Sequence, residues 1–226
     1  MGALLQGVYE GDVTIRELLR HGDFGLGTFN RLDGEMLVLD GVCYQLRSDG
    51  SATLADTEQR TPFAAVTWFD ADHSLEVSEP CGRAAVKALI DQALQSTNLM
   101  VAVRVSGEFS MMRTRTVTEQ HPPYRPFIKA TQDQEEVTLT DVRGTLAGFR
   151  MPEFEQGIAV AGYHSHFITT DHSHGGHALD YRLVRGTVEI SVHSELHLRL
   201  PSTLDFLSAD LTSADIDEQI RQTEEG

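Results

Sequence analysis

Five of the chain's ten histidines fall within fourteen residues, from His164 to His177, in the stretch Gly162-Tyr-His-Ser-His-Phe-Ile-Thr-Thr-Asp-His-Ser-His-Gly-Gly-His177. Imidazole is the commonest protein ligand for zinc, copper, iron and nickel. Spacing matters more than number. Residues 157–168 read Gly-Ile-Ala-Val-Ala-Gly-Tyr-His-Ser-His-Phe-Ile, apolar and β-branched, which predicts a strand. On a strand His164 and His166 share one face, roughly 6.5–7 Å apart along the backbone. Their ring nitrogens can then converge on one small ion. Gly175-Gly176 is expected to make a tight turn that brings His177 back beside them. Three histidines with one open position form the ligand set of a catalytic zinc rather than a closed structural one. His172 and His174 lie in a polar turn with no apolar frame and read as solvent-exposed or supporting. The segment is internal and half apolar, unlike a purification tag or a metal-buffering tract.

What positions these residues is a chain of 226 residues with 40% hydrophobic content and seven prolines, long enough to bury a core in one domain or two small ones. A formal net charge of −16 argues against nucleic acid and against an anionic membrane surface. Cys43 and Cys81 are the only cysteines, so a disulfide framework and a cysteine-type zinc site are both excluded, and two reduced thiols are expected. Residues 1–7 carry no basic, apolar leader, and Gln6 breaks the myristoylation pattern. With no apolar run near the ~20 residues needed to span a bilayer, the chain reads as soluble and cytoplasmic.

Residues 13–21 read as a short helix capped by Asp12 or Thr14 and closed by Gly22. Asp33-Gly34 and Asp40-Gly41 separate Phe24–Asn30, Glu35–Leu39 and Val42–Leu46, a pattern that predicts a meander of short antiparallel strands. Phe63–Asp70 is a further strand. Arg83–Gln95 carries a helical apolar stripe. Leu99–Val105 reads as a buried strand and Phe109–Val117 as its continuation in the sheet. His121-Pro-Pro-Tyr-Arg-Pro126 is the strongest punctuation and places a domain boundary there, giving an N-terminal α/β domain over 1–125 and a β-rich domain over 126–226 with the metal site. Beyond it, strands are expected at 137–150, 157–168, 178–192 with a turn near Arg185-Gly186, and 193–200, with a terminal helix over Ser213–Gln222. The class is mixed α+β with mainly antiparallel sheet. No glycine-rich phosphate loop and no Gly-x-Ser-x-Gly nucleophile turn is present.

The blocks Gly162-Tyr-His-Ser-His-Phe-Ile, Asp171 and Gly175-Gly-His-Ala-Leu-Asp-Tyr181 resemble the metal-binding segment of the α-acetolactate decarboxylases. Leu26-Gly-Thr-Phe-Asn-Arg-Leu-Asp-Gly-Glu-Met-Leu-Val-Leu-Asp-Gly41 is similar to that family's N-terminal signature, and Phe109-Ser-Met-Met-Arg-Thr-Arg-Thr-Val117 to its arginine-bearing strand. The resemblance implies conversion of 2-acetolactate to acetoin and carbon dioxide, usually with zinc, in a homodimer built of two related α/β domains. It implies His164, His166 and His177 as metal ligands, Arg115 in contact with substrate, and Glu35 and Thr28 lining the site. It also implies a glutamate near the C-terminus, for which Glu224 is the first choice and Glu225 the second.

Chemistry fits these roles. Acetolactate is a β-keto acid with a hydroxyl beside the ketone, and loss of carbon dioxide drives an electron pair toward the keto oxygen. Zinc chelated by the keto and hydroxyl oxygens would act as the electron sink. Arg115 would hold the carboxylate by paired charge-assisted bonds. The enediolate then needs a proton from Glu35 or Glu224, with Glu35 favoured because a strand holds it. A cupin-like metal enzyme is the nearest rival, although only Asp171 stands where a cupin has its glutamate. A non-catalytic metal-binding relative is the other, and it would be indifferent to Arg115 and Glu35.

Overall fold

Thr14, not Asp12, caps the first predicted helix. In the computed structural model, which describes residues 1–94, 96–131 and 134–211, the chain opens with α1 (Gly2–Leu5), β1 (Val13–Thr14) and α2 (Ile15–Leu18). The Glu17 amide donates to Thr14 Oγ1 at 3.2 Å, and the Thr14 amide donates to the Glu17 carboxylate at 3.3 Å, a reciprocal capping box. Asp12 instead accepts from the Ser202 amide at 3.1 Å. The helix is shorter than the 13–21 expected, because Val13 and Thr14 pair in extended form with β6 (Arg60–Thr61).

The Asp-Gly meander forms as read. Strands β2 (Phe24–Thr28), β3 (Glu35–Leu39) and β4 (Val42–Leu46) are successive antiparallel neighbours. With β5 (Ala52–Leu54) and β7 (Phe63–Thr67) at the edges they make a five-stranded sheet in the order β5-β4-β3-β2-β7. Thr28 and Glu35 close the β2–β3 ladder as direct partners.

The larger sheet holds β8 (His73–Val77), β9 (Cys81–Gly82), β10 (Met100–Thr116), β11 (Glu135–Met151), β12 (Gly162–Thr169) and β13 (Gly175–His193), all antiparallel. Helix α3 (Arg83–Ala93) precedes β10, and α4 (Phe127–Ala130) lies between β10 and β11. Pairing closes a circuit: β10 bonds both β11 and β13, while β12 bridges β11 to the start of β13. The punctuated segment 121–126 thus leads from β10 to its own neighbour β11, within one sheet.

Four expectations within this sheet are corrected. The two segments 99–105 and 109–117 are a single strand, β10. Arg185-Gly186 is no turn, because Gly186 lies within β13 directly opposite Gly107, where either Cβ would strike the facing backbone. Residues 194–200 form no strand: β13 ends at His193, and among the described residues no neighbour offers a ladder to the alternating leucines, which stand exposed. The histidine strand begins at Gly162 rather than 157. A short helix α5 (Leu204–Ser208) follows, and the helix expected over 213–222 lies outside the described residues.

The two sheets pack face to face. Phe24, Leu26, Leu37 and Leu46 from the smaller one meet Ala102, Ala147, Phe149 and Ile168 from the larger. The far side of the large sheet is covered by α3 through Val86 and Ile90. The far side of the small sheet meets α2 through Ile15 and Leu18. This is the mixed α+β, mainly antiparallel class expected. Among the described residues no helix is long and apolar enough to cross a membrane.

Candidate metal centre

Alternation on β12 sends His164, His166 and Ile168 toward the small sheet, and Tyr163 and Phe167 toward the α3 side. His166 is the direct partner of His177 on β13. Ring centroids lie 5.2 Å apart for His164 and His166, 5.0 Å for His164 and His177, and 5.5 Å for His166 and His177. One ring nitrogen from each falls within 4.8 Å of the others. His164 is 9% exposed, His166 fully buried and His177 2% exposed.

His166 shows which nitrogen faces the centre. Its Nδ1 lies 2.8 Å from the Met36 carbonyl, which can only accept, so Nδ1 carries the hydrogen. The lone pair is left on Nε2. That atom is buried without a hydrogen-bond partner among the described residues and lies 3.6 Å from Glu35 Oε2. A cation at the centre of the three histidines would take up this lone pair, so the residues present fit a metal ion. Burial first, with the Arg115 charge adding to it, depresses the proton affinity of all three imidazoles, to about 4 for His166. Neutral imidazole is the form that binds metal.

Arg115 sits on β10 directly across from His177 and is 5% exposed. A narrow cleft brings Thr28, Glu35, Arg115 and His164 together against an apolar wall that includes Val117 and Phe127. Thr28 Oγ1 donates to the Gly34 carbonyl at 2.8 Å and so braces the turn that presents Glu35. The turn also carries Arg31 and Leu32 at φ of 64° and 55°, a left-handed pair held by the Arg31 amide donating to the Tyr9 carbonyl at 2.8 Å.

The remaining nominated residues sort as follows. His172 and His174 are exposed, with their Nδ1 atoms 3.1 Å from the Tyr44 hydroxyl and 2.8 Å from the Ser173 hydroxyl. Asp171, exposed, accepts from the Thr169 and Ser173 hydroxyls at 2.6 and 2.8 Å and serves the turn. Glu224 and Glu225 lie outside the described residues. Gly175-Gly176 is not the expected turn. Residues 170–174 make it, with His172 at φ 55°, and both glycines are already in β13. They are there for close approach: a Cβ on Gly175 would meet the Phe167 carbonyl oxygen at 2.4 Å, and one on Gly176 the Arg115 carbonyl oxygen at 3.0 Å. The Met36 carbonyl escapes a search by side-chain type because it belongs to the backbone.

The fold and site define a mainly β protein that can hold a metal ion on three buried histidines beside a guanidinium and a carboxylate. Comparison with known proteins narrows this. Residues 1–213 match the family described as Alpha-acetolactate decarboxylase, and the chain belongs to that family. It is 48% identical over 224 residues to the alpha-acetolactate decarboxylase of Klebsiella aerogenes, covering 99% of this chain and 86% of that protein. The Bacillus subtilis strain 168 enzyme of the same name is 43% identical over 224 residues, covering 99% of this chain and 88% of that protein. The crystal structure of alpha-acetolactate decarboxylase from that strain superposes with a TM-score of 0.98, covering 100% of this chain and 97% of the other at 43% identity.

Proposed function

We propose that this protein decarboxylates 2-acetolactate to acetoin and carbon dioxide, using a zinc ion held by His164, His166 and His177. The observation that carries the reading is the convergence of Arg115, Glu35 and Thr28 with His164 on one cleft, within a chain of this family. When bound, zinc supplies Lewis acidity at the keto and hydroxyl oxygens of the substrate.

The protein's own groups do the rest. Arg115 offers two parallel donors to the carboxylate, in a buried setting where such bonds are strong and where the β10–β13 ladder fixes their position. The apolar wall excludes water and favours departure of neutral carbon dioxide over a charged carboxylate. Glu35, whose carboxyl lies 3.6 Å from His166 Nε2, would in its protonated form give its proton to the carbon left behind and become the carboxylate. Glu224 is the second carboxylate we assign to this step. Thr28 shapes the wall. A cytoplasmic homodimer goes with this reading.

The rivals fare less well. Asp171 is engaged in the turn, which removes the acidic ligand a cupin-like site needs. A storage protein needs the histidines alone and gives no reason for Arg115 and Glu35 to line the same cleft. The test is acetoin formation from racemic 2-acetolactate, measured against the spontaneous rate, by zinc-loaded protein. Activity should vanish on chelation and return with zinc, and a rate no greater than the blank would overturn the proposal.

A further inference from the structure

The opposite face of the histidine strand holds a second cavity. Between α3 and the back of the large sheet, Arg83, Lys87, Tyr163, Ser165, Ala178 and Tyr181 line a small cavity of about 20 Å³ above an aliphatic floor. The space is narrow, with room for a species the size of a water molecule or a halide.

Its two charged lining groups, Arg83 and Lys87, are both cationic. Arg83 is half-buried, and its Nη1 donates to the Leu179 carbonyl at 2.6 Å, but no carboxylate among the described residues pairs with it. Tyr181 is 5% exposed and packed edge-on against Phe109, and its hydroxyl has no hydrogen-bond partner among the described residues. Burial raises the pKa of that hydroxyl, so it remains a donor. Lys87 Nζ lies 5.1 Å over the Tyr163 ring at the rim. Asp91 on α3 is engaged by Arg150 at 3.1 Å and by the Tyr163 hydroxyl at 2.8 Å. A phenol hydroxyl with no protein acceptor is free to donate to a small species in this space, and a half-buried guanidinium facing the same space attracts an anion.

We propose that this cavity binds a compact monovalent anion of halide size, held by the Arg83 guanidinium and the Tyr181 hydroxyl, with Ser165 and Lys87 completing its surroundings. The site is separate from the metal centre and does not depend on the activity assigned above. It is nonetheless electrostatically close. Ser165 stands between His164 and His166, and the Arg83 charge is among those that depress proton binding at His177. An anion here offsets that charge.

Sodium bromide titrated into the zinc-loaded protein, with ionic strength held constant by the bulkier gluconate, tests this by thermal unfolding. The expected result is a saturable rise in Tm of about 3 °C or more near full occupancy. Arg83→Met should abolish it. Tyr181→Phe removes one atom, keeps the packing and should weaken it, which keeps the test decisive if Arg83→Met fails to fold. Bromide anomalous scattering should place the ion between these two residues. No saturable rise, or one unchanged in both variants, overturns the proposal. A rise that disappears on chelation of the zinc does so too, since it puts the bromide at the histidines.

Discussion

Arg115 on β10 and His177 on β13 face each other across one rung of the large sheet, and His177 faces His166 across the next strand, β12. The guanidinium that would hold a carboxylate and two of the three candidate metal ligands are therefore fixed by backbone ladders rather than by loops. Their separation cannot change without breaking sheet hydrogen bonds. Such rigidity is what a site needs when its groups must be held within about 0.5 Å of working geometry.

The ladder is most sensitive where β12 and β13 first meet. Replacing Gly175 by alanine would set a methyl group 2.4 Å from the Phe167 carbonyl oxygen, and backbone cannot yield as a flexible side chain can. Gly175→Ala should destabilise the fold by roughly 1–3 kcal/mol and weaken zinc binding, as seen by thermal unfolding and metal titration. A variant with unaltered Tm and unaltered zinc affinity would contradict the close-approach explanation.

Arg115→Lys keeps the charge and removes the planar pair of donors. We expect kcat/KM to fall about 10²-fold or more, with bound zinc still at the wild-type level. Steady-state rates and metal content measured on one preparation separate substrate contact from metal binding. Loss of zinc in step with activity would assign Arg115 to the integrity of the centre instead.

For Glu35→Gln the loss should fall on kcat, on the order of 10²–10⁴-fold for a missing proton donor, with a smaller change in KM. Acetoin formed by the residual activity should also lose enantiomeric purity as solvent protonates either face. Chiral gas chromatography of the product decides this. Wild-type kcat would transfer the role to Glu224.

The buried histidines set a pH dependence for the metal-free protein. Their folded-state proton affinity is depressed, to about 4 for His166 against an ordinary 6.5. The unfolded chain takes up protons first, so this contribution is intact above pH 6.5 and is lost as pH falls toward 4. The chelated protein should lose stability between pH 6.5 and 5, a window in which ordinary carboxylates remain largely ionised. A flat Tm over that window would mean the imidazoles are not buried neutral.

Much of this was legible in the residues themselves. Alternation alone places His164 and His166 on one face, and the Asp-Gly pairs locate the β2–β4 meander that ends in the Thr28–Glu35 pair. Other features were misread because one residue type serves two ends. Gly175-Gly176 looks like a turn but serves close strand contact, and Gly186 likewise continues a strand. The leucines of 196–200 alternate as a strand would, yet alternation does not supply a neighbouring edge. Roles for Arg115, Glu35 and Thr28 came from family resemblance, since each is unremarkable by type and spacing. The Met36 carbonyl that orients His166 leaves no trace in side-chain chemistry.

The most direct measurement compares zinc-loaded wild type with His166→Ala, counting bound zinc per chain and the rate of acetoin formation from 2-acetolactate above the spontaneous background. The account predicts one tightly held zinc and rapid turnover in the wild type, and loss of both in the variant. Full activity in the variant, or bound zinc without any acetoin in the wild type, would contradict it.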